Sequence, residues 1–225
     1  MGQEGRRSAD RVARAILQRI QDAGWSVGTR IGSEADLIAT HGVSRNVVRQ
    51  AISMLELQGV VRVQAGRGGG LVVAEPESSS FSQALELYLA SRNVRGEHVL
   101  EAKREVELTC VRLATRRRTP ELVEQLRRAV QTECQTPVEQ LRDIGADNVH
   151  IVLAAMTGNP ALHLFIEALT HLSAQHVDQQ HAASEAGLTF AAHARIAGAV
   201  ADGDEERAVI EMAAHLDEVD RAIRE

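Results

Sequence analysis

The sequence predicts a mainly α-helical protein with two domains, an N-terminal winged helix-turn-helix and a C-terminal all-α bundle of six or seven helices. Only 2% of its 225 residues are aromatic, so the core must consist mainly of Leu, Val, Ile and Ala, which favours packed helices over a sandwich or barrel. Apolar residues recur at helical spacing along most of the chain. The two β-prone runs lie close together near residues 60–74, with a glycine-rich segment between them.

Three helices are predicted before these runs. The first covers residues 8–23 and presents one apolar face, which consists of Val12, Ile16, Leu17 and Ile20. The second begins after the capping residue Ser33 and ends at Gly42. The third begins after Ser44 and ends at Gly59, and its predicted buried positions are Val47, Val48, Ala51, Ile52 and Leu55.

A hairpin and a linker follow the third helix. The runs 60–64 and 71–74 are the predicted strands, and AGRGGG between them forms the tip. Three helices followed by a hairpin is the element order of a winged helix. The segment EPESSS is polar, contains proline and lacks apolar anchors, so it is the predicted linker. The expected domains are residues 1–75 and 82–225, joined by residues 76–81.

The remainder of the chain is helical in pattern. Thr119-Pro120, Thr136-Pro137 and Asn159-Pro160 each combine a capping side chain with proline at the first helical position. Gly203-Asp204 has the residues that end one helix and cap the next. We therefore expect six or seven helices and no strand across residues 81–224.

Charge is distributed unevenly along the chain. Residues 1–75 carry a formal charge of +3, with ten Arg and no Lys, whereas residues 76–225 carry −9. A basic segment on an acidic protein indicates an anionic partner for that segment. No apolar run approaches the roughly 20 residues of a membrane helix, and the start MGQEGRRSADR lacks the apolar core of a secretory signal. We expect a cytoplasmic protein without a membrane partner.

The turn between the second and third helices is the predicted DNA-reading segment. In THGVSR, Gly42 permits the turn and Ser44 caps the helix whose first turn and a half contains Arg45, Asn46 and Arg49. A recognition helix presents this part to base edges in the major groove, where arginine pairs with guanine and asparagine with adenine. Arg67, at the tip of the wing, is placed to approach the DNA backbone or the minor groove. The alternative interpretation is a small helical hairpin with solvated arginines.

The run GTRIGSEADLIATHGVSRNVVRQAISMLELQGVVRVQAGRGGGLVV resembles the DNA-binding domain of the GntR family of bacterial transcription regulators, and the resemblance spans residues 11–74. It implies that Arg45 and Arg49 read a short palindrome and that the wing at Gly66 reaches the minor groove. The family usually has Ser-Glu-Arg where this chain has Ser33-Glu34-Ala35. Arg30 is the candidate that would compensate for the missing arginine. We count the capping residues Ser33 and Ser44 with this DNA-facing set.

Three histidines are the candidate metal ligands of the helical domain. His150, His193 and His215 lie on three different predicted helices, each beside apolar neighbours, and Asp147 lies on the helix face of His150. One carboxylate and three imidazoles inside a bundle suit a divalent transition metal, zinc above all, with nickel or manganese as alternatives. The competing interpretation is a set of unrelated core or solvated histidines.

The helical domain is similar to the FCD-type effector domain of the FadR-like subfamily. The similarity lies in LEAKREVELTCVRLAT, DNVHIVLAAMTGNPAL and HARIAGAVADGDEERAVIEMAAHL. It implies that the three histidines match the ligands of metal-binding members, whose aspartate usually occupies the position of Ala146 here. Asp147 would then substitute from one residue away, or the site has only three protein ligands. Lys103 aligns with an arginine near the effector pocket, and His171 is a second candidate for that pocket.

These features predict a sequence-specific DNA-binding regulator, not an enzyme. We expect a homodimeric repressor that leaves its palindromic double-stranded operator when a small-molecule effector, an organic acid or an acyl compound, binds the metal-containing domain. One alternative is an architectural DNA-binding protein with a purely dimerising helical domain. A metal-dependent hydrolase is the other alternative, but the sequence has no HExxH motif and a hydrolase leaves the winged helix unexplained.

Overall fold

The computed structural model describes residues 3–66, 69–137, 140, 145–174 and 179–224, without the side chains of residues 3, 147, 174, 179–188 and 222–224. The chain forms two compact units, Met1–Ser80 and Phe81–Glu225. Each unit has a hydrophobic core of its own. In the described part of the chain, no helix is both long and apolar enough to cross a membrane.

The first unit contains three helices and a small antiparallel sheet, in the order α1 (Gln3–Asp22), β1 (Arg30–Gly32), α2 (Glu34–His41), α3 (Arg45–Leu57), β2 (Val61–Gln64) and β3 (Gly70–Val73). Strand β3 is central, with Arg30 opposite Val72 on one side and Val61 opposite Val73 on the other. The predicted winged helix-turn-helix is confirmed. Strand β1 was not predicted, because three residues are too short for an alternating pattern.

Serine caps position α2 and α3, as predicted. Ser33 Oγ accepts a hydrogen bond from Asp36 N at 3.1 Å, and the Asp36 carboxylate accepts one from Ser33 N at 2.7 Å, which completes a capping box. Ser44 Oγ accepts from Val47 N at 3.5 Å. Between the two helices, Gly42 adopts φ 61°, a left-handed conformation that lets the chain turn within three residues.

The core of the first unit lies between α1, α3 and the sheet. Its largest fully buried side chains are Ile16, Ile20, Leu37, Leu55 and Leu71. Trp25 packs partly buried against this core, and its indole Nε1 donates a hydrogen bond to the carbonyl oxygen of Ala74 at 3.0 Å. This bond joins the loop after α1 to the end of the hairpin.

The second unit is helical throughout its described part. Its elements are α4 (Ser78–Ser91), α5 (Gly96–Arg116), α6 (Pro120–Gln135), a 3₁₀ turn (Gly145–Asp147), α7 (Val149–Met156), α8 (Pro160–Ala174), α9 (Gln179–Asp202) and α10 (Glu205–Arg224). The seven α-helices among the described residues agree with the prediction of six or seven. Helix α4 begins at Ser78, inside the segment 76–81 that we expected to be a linker.

Predicted caps start several of these helices. Thr119 Oγ1 accepts from Leu122 N at 3.3 Å at the start of α6, and Asn159 Oδ1 accepts from Ala161 N at 3.0 Å at the start of α8. Asp204 Oδ1 accepts from the backbone of α10 at 3.0 Å. The helix expected after Thr136-Pro137 falls mostly outside the described residues.

Helix α5 is packed against α7, α8, α9 and α10, while α6 packs against α7 and α9. Many buried positions at these contacts are alanines, namely Ala114, Ala129, Ala154, Ala197, Ala199 and Ala208. Small side chains let helix axes approach closely. Because α7, α9 and α10 lie close together, polar side chains from these three helices can contact one another in the interior.

Candidate functional site

Three histidines from three helices meet in the interior of the second unit. His150 of α7, His193 of α9 and His215 of α10 are 8%, 3% and 2% exposed. One ring nitrogen from each can be chosen so that all three lie within 4.8 Å of one another. The ring centroids are 4.6–5.3 Å apart. The structure thus brings together the three histidines that the sequence singled out.

The spacing of two of these rings suits a shared metal ion. His193 Nε2 and His215 Nε2 are 3.2 Å apart. Two nitrogens bound to one ion at about 2.0–2.1 Å, at angles between about 90° and 110°, are about 2.8–3.4 Å apart. In the metal-free protein the same distance is an imidazole–imidazole hydrogen bond, in which one Nε2 donates and the other accepts.

Glu133 of α6 orients His193 from the side away from the cluster. His193 Nδ1 lies 2.5 Å from Glu133 Oε2, and Glu133 Oε1 accepts a hydrogen bond from Val149 N at 2.8 Å. The carboxylate is 3% exposed. Burial opposes its charge, but the hydrogen bonds from His193 and from the backbone of Val149 outweigh burial and hold the pKa of Glu133 below its ordinary value.

Sequence reasoning missed Glu133, although a signal for it was present. The buried face of α6 consists of Val123, Leu126, Ala129 and Glu133. A carboxylate that continues an apolar stripe must be paired to be stable. Its position on the stripe therefore indicates a buried polar partner on a facing helix.

Glu107 of α5 lies beside the third histidine. Its Oε1 is 2.8 Å from His150 Nδ1 and 3.1 Å from Lys103 Nζ, and the Glu107 side chain is 2% exposed. Although these atoms are close together, His150 Nδ1 and both Glu107 oxygens lack a hydrogen bond of good geometry. Buried polar groups are normally satisfied. The charge of the buried Glu107 carboxylate is instead balanced by the Lys103 ammonium, which forms an ion pair with Oε1.

Burial keeps two of the imidazoles neutral. It lowers the pKa of His150 below its ordinary value, against the opposing charge of Glu107. Burial is also the largest cause that lowers the pKa of His215, to about 2. Neutral imidazole is the form that binds a metal. By contrast, burial and the charge of Glu107 raise the pKa of the Cys110 thiol to about 12, so this thiol stays protonated.

The remaining residues predicted for this region fall in different places. The backbone of Asp147 ends the 3₁₀ turn, and its side chain lies outside the described residues; Ala146 is exposed. Lys103 is buried beside the cluster, where it pairs with Glu107. His171 is exposed in the last turn of α8, so it does not join the buried cluster.

Helix α3 of the first unit carries the predicted DNA-reading residues. Its buried residues are Val48, Ala51, Ile52 and Leu55, and this packing leaves Arg45, Asn46 and Arg49 exposed. Arg45 Nε lies 3.4 Å from Glu34 Oε1, so an exposed ion pair connects the start of α3 to α2.

Arg30 and the wing are connected by short contacts. Arg30 Nε donates to the Gly69 carbonyl oxygen at 3.3 Å, and its Nη2 lies 3.7 Å from Asp36 Oδ2. Arg30 therefore links β1 to α2 and to the base of the wing. Gly66 adopts φ 104°, a conformation that favours glycine at the turn into the tip. Arg67 lies outside the described residues.

Comparison with known families gives two matches. Residues 8–71 match "Bacterial regulatory proteins, gntR family", and residues 98–218 match the FCD domain. The structure of Streptococcus agalactiae GntR superposes on 95% of this chain and 99% of that chain, with a TM-score of 0.71 at 18% sequence identity. This likeness shows that the two proteins share a fold.

Curated relatives include several regulators. The Exu regulon transcriptional regulator of Escherichia coli K12 is 29% identical over 74% of this chain, and the Uxu operon regulator of Haemophilus influenzae is 27% identical over 69%. This chain covers 63% and 57% of their respective lengths. The regulator LutR of Bacillus subtilis is 27% identical over 86% of this chain and 90% of its own length.

The two family matches fall on the two compact units, and the FCD match alone extends over more than half of the 225 residues. These curated relatives are named as regulators and not as enzymes. The chain belongs to the GntR family of bacterial regulatory proteins and contains an FCD domain.

Proposed function

We propose that this regulator is a homodimeric repressor that binds a palindromic operator and leaves it when a small organic acid binds in the FCD domain. One recognition helix reads only a few base pairs, so a two-fold dimer with its helices about 34 Å apart would provide the specificity. The relative NanR of Klebsiella aerogenes, 25% identical over 94% of this chain, is named a repressor, which supports this direction of control.

The observation that carries the sensing role is the buried cluster of His150, His193 and His215. These residues would hold a divalent transition metal, with zinc, nickel and manganese as the candidates. When bound, the metal supplies a Lewis-acidic position at which a carboxylate of the effector can coordinate. A purely architectural protein needs no such group of buried, mutually facing imidazoles, because burying polar side chains is costly.

The chain's own residues have distinct roles in this proposal. Exposed Arg45, Asn46 and Arg49 would contact base edges, and the wing at Gly66 and Arg67 would approach the minor groove. Lys103 would add positive charge beside the cluster, although its ion pair with Glu107 must loosen before it can bind an effector carboxylate. Release of DNA then requires that the effector bind unequally to the two dimer geometries.

Native mass spectrometry of untagged protein tests the proposal directly. We expect a dimer that carries one divalent ion per chain, and we expect a chelator to remove the ion. Chelation should also lower the thermal midpoint of the second unit. When the concentration of free ion is about 100 times the Kd, binding stabilises the folded state by about 2.7 kcal/mol. The variant His193→Ala should lose most of this chelator effect. A monomer, or a protein that takes up no ion from added zinc, would contradict the proposal.

A further inference from the structure

Glu133 occupies an unusual position between three helices. It belongs to α6, and each of its two oxygens accepts a hydrogen bond from a different helix. Oε2 accepts from His193 Nδ1 of α9 at 2.5 Å, and Oε1 accepts from Val149 N, the first residue of α7, at 2.8 Å. The residue after Val149 is His150, so one carboxylate contacts a cluster histidine and the start of the helix that carries another.

We propose that Glu133 is a positioning residue of the metal centre, which sets the tautomer of His193 so that its Nε2 lone pair faces the cluster. This inference rests on the proposed metal-binding function of the three histidines. A carboxylate can only accept a hydrogen bond, so His193 Nδ1 must carry the proton. A neutral imidazole protonated at Nδ1 has its lone pair on Nε2, which is the atom 3.2 Å from His215 Nε2.

The tautomer of His193 also determines that of His215 in the metal-free protein. If His193 Nε2 is an acceptor, His215 Nε2 must donate the hydrogen bond between the two rings. A metal at the cluster needs the lone pairs of both nitrogens. Metal uptake would therefore leave His193 as it is and move the proton of His215 from Nε2 to Nδ1. Glu133 thus prepares one ligand in advance.

The isosteric variant Glu133→Gln tests this assignment. A glutamine offers one acceptor and one donor at this place, whereas Glu133 provides two acceptors. The Val149 N–H can only donate, so the amide oxygen should face Val149 and the amide nitrogen should face His193 Nδ1. That ring then has to accept, and its proton moves to Nε2. The lone pair would point away from the cluster and the direction of the hydrogen bond to His215 would reverse.

The primary measurement is the ¹⁵N chemical shift of both nitrogens of His193 and His215 in metal-free protein labelled at histidine, with the resonances assigned from single His→Gln variants. We expect His193 to be protonated at Nδ1 in the wild-type protein and at Nε2 in Glu133→Gln. The second measurement is the Zn²⁺ affinity by competition with a chromophoric chelator. Loss of an outer carboxylate typically lowers metal affinity by about 10–100-fold, and we expect a loss in this range.

Two further variants are controls. Glu124→Gln removes the same charge from an exposed position of α6, where the side chain is 60% exposed, and should leave both measurements unchanged. Glu133→Asp keeps the charge and both acceptors and should retain the wild-type tautomer. A wild-type His193 protonated at Nε2 would overturn the proposal without any variant, even if Glu133→Gln fails to fold. Unchanged tautomers and zinc affinity in folded Glu133→Gln would overturn it too.

The same measurements separate this inference from the proposed function. If wild-type protein takes up no zinc while His193 is protonated at Nδ1, the metal-binding function fails and the role of Glu133 in setting the tautomer stands. If wild-type protein binds zinc with His193 protonated at Nε2, the metal site stands and the role of Glu133 fails.

Discussion

Individual buried side chains decide how the second unit responds to acid. His215 is 2% exposed, and its pKa falls to about 2 because it is desolvated and faces His193 and His150. In the unfolded chain the pKa of the same imidazole is about 6.5. The unfolded state therefore binds more protons than the folded state between these two values. Stability rises with pH in this window and is lost as the pH falls.

We expect metal-free protein to lose about 1 kcal/mol of unfolding free energy from His215 alone between pH 7.0 and 5.5. This range lies above the ordinary titration of Glu107 and Glu133, so the carboxylates contribute little to the change. Urea unfolding of chelator-treated protein, followed by circular dichroism at several pH values, measures it. In His215→Gln the unfolding free energy should change less between these pH values, by about this amount. Equal pH dependence of the unfolding free energy in the two proteins would contradict the contribution assigned to His215.

Arg45 and Arg49 of α3 are exposed, and we expect each of them to contribute to operator binding. A base contact through two hydrogen bonds provides about 1–3 kcal/mol of discrimination, so Arg45→Ala and Arg49→Ala should each weaken operator binding by about 5–150-fold without unfolding the protein. A gel shift with the operator measures the affinity. Arg19→Ala, an exposed site on α1, is the matched control. Wild-type affinity in both recognition-helix variants would exclude these residues from operator reading.

At the scale of single elements, caps place the functional side chains. Asn148 Oδ1 accepts hydrogen bonds from His150 N at 3.0 Å and Ile151 N at 3.4 Å, so this side chain begins α7 one residue before its buried face. Glu133 provides the remaining bond at Val149. Because α7 has only eight residues, the position of His150 depends strongly on how the helix starts.

Removing this cap should therefore affect both stability and the cluster. We expect Asn148→Ala to lower the free energy of unfolding by about 1 kcal/mol and to weaken zinc binding as well. Asn148→Ser keeps a capping oxygen and should retain most of both properties. Chemical unfolding and zinc competition are the two measurements. An alanine variant as stable as the serine variant would show that the cap contributes nothing.

Sequence reasoning succeeded where the signal is local to one element. Caps such as Ser33 and Ser44 and the histidines beside apolar residues are visible in short windows, and the structure places them as expected. Glu107 and Glu133 were missed because their histidine partners are far away in sequence: His150 lies 43 residues from Glu107 and His193 lies 60 residues from Glu133. Only tertiary packing pairs such residues. The role of the exposed His171 in an effector pocket stays a prediction, because periodicity alone does not show which face of α8 is covered.

For the whole molecule, the central question is how two recognition helices are spaced on DNA. In the proposed homodimer each winged helix-turn-helix would read one half-site, and both half-sites would have to lie on one face of the duplex. We expect an insertion of about five base pairs, half a helical turn, between the half-sites to abolish tight binding, and an insertion of about ten to restore part of it. Operator variants in a gel shift provide the measurement. Equal affinity for all spacings would rule out a rigid two-fold reader.

The position of Trp25 allows the two units to be followed by separate spectroscopic signals. It is the only tryptophan of the chain, and its indole is bonded to Ala74 at the end of the hairpin, within the first unit. Intrinsic tryptophan fluorescence therefore reports on the first unit, while far-ultraviolet ellipticity arises mainly from the described helices of the second unit. Recording both signals on one sample, without any added label, shows whether a ligand that stabilises the second unit also raises the melting temperature of the first unit.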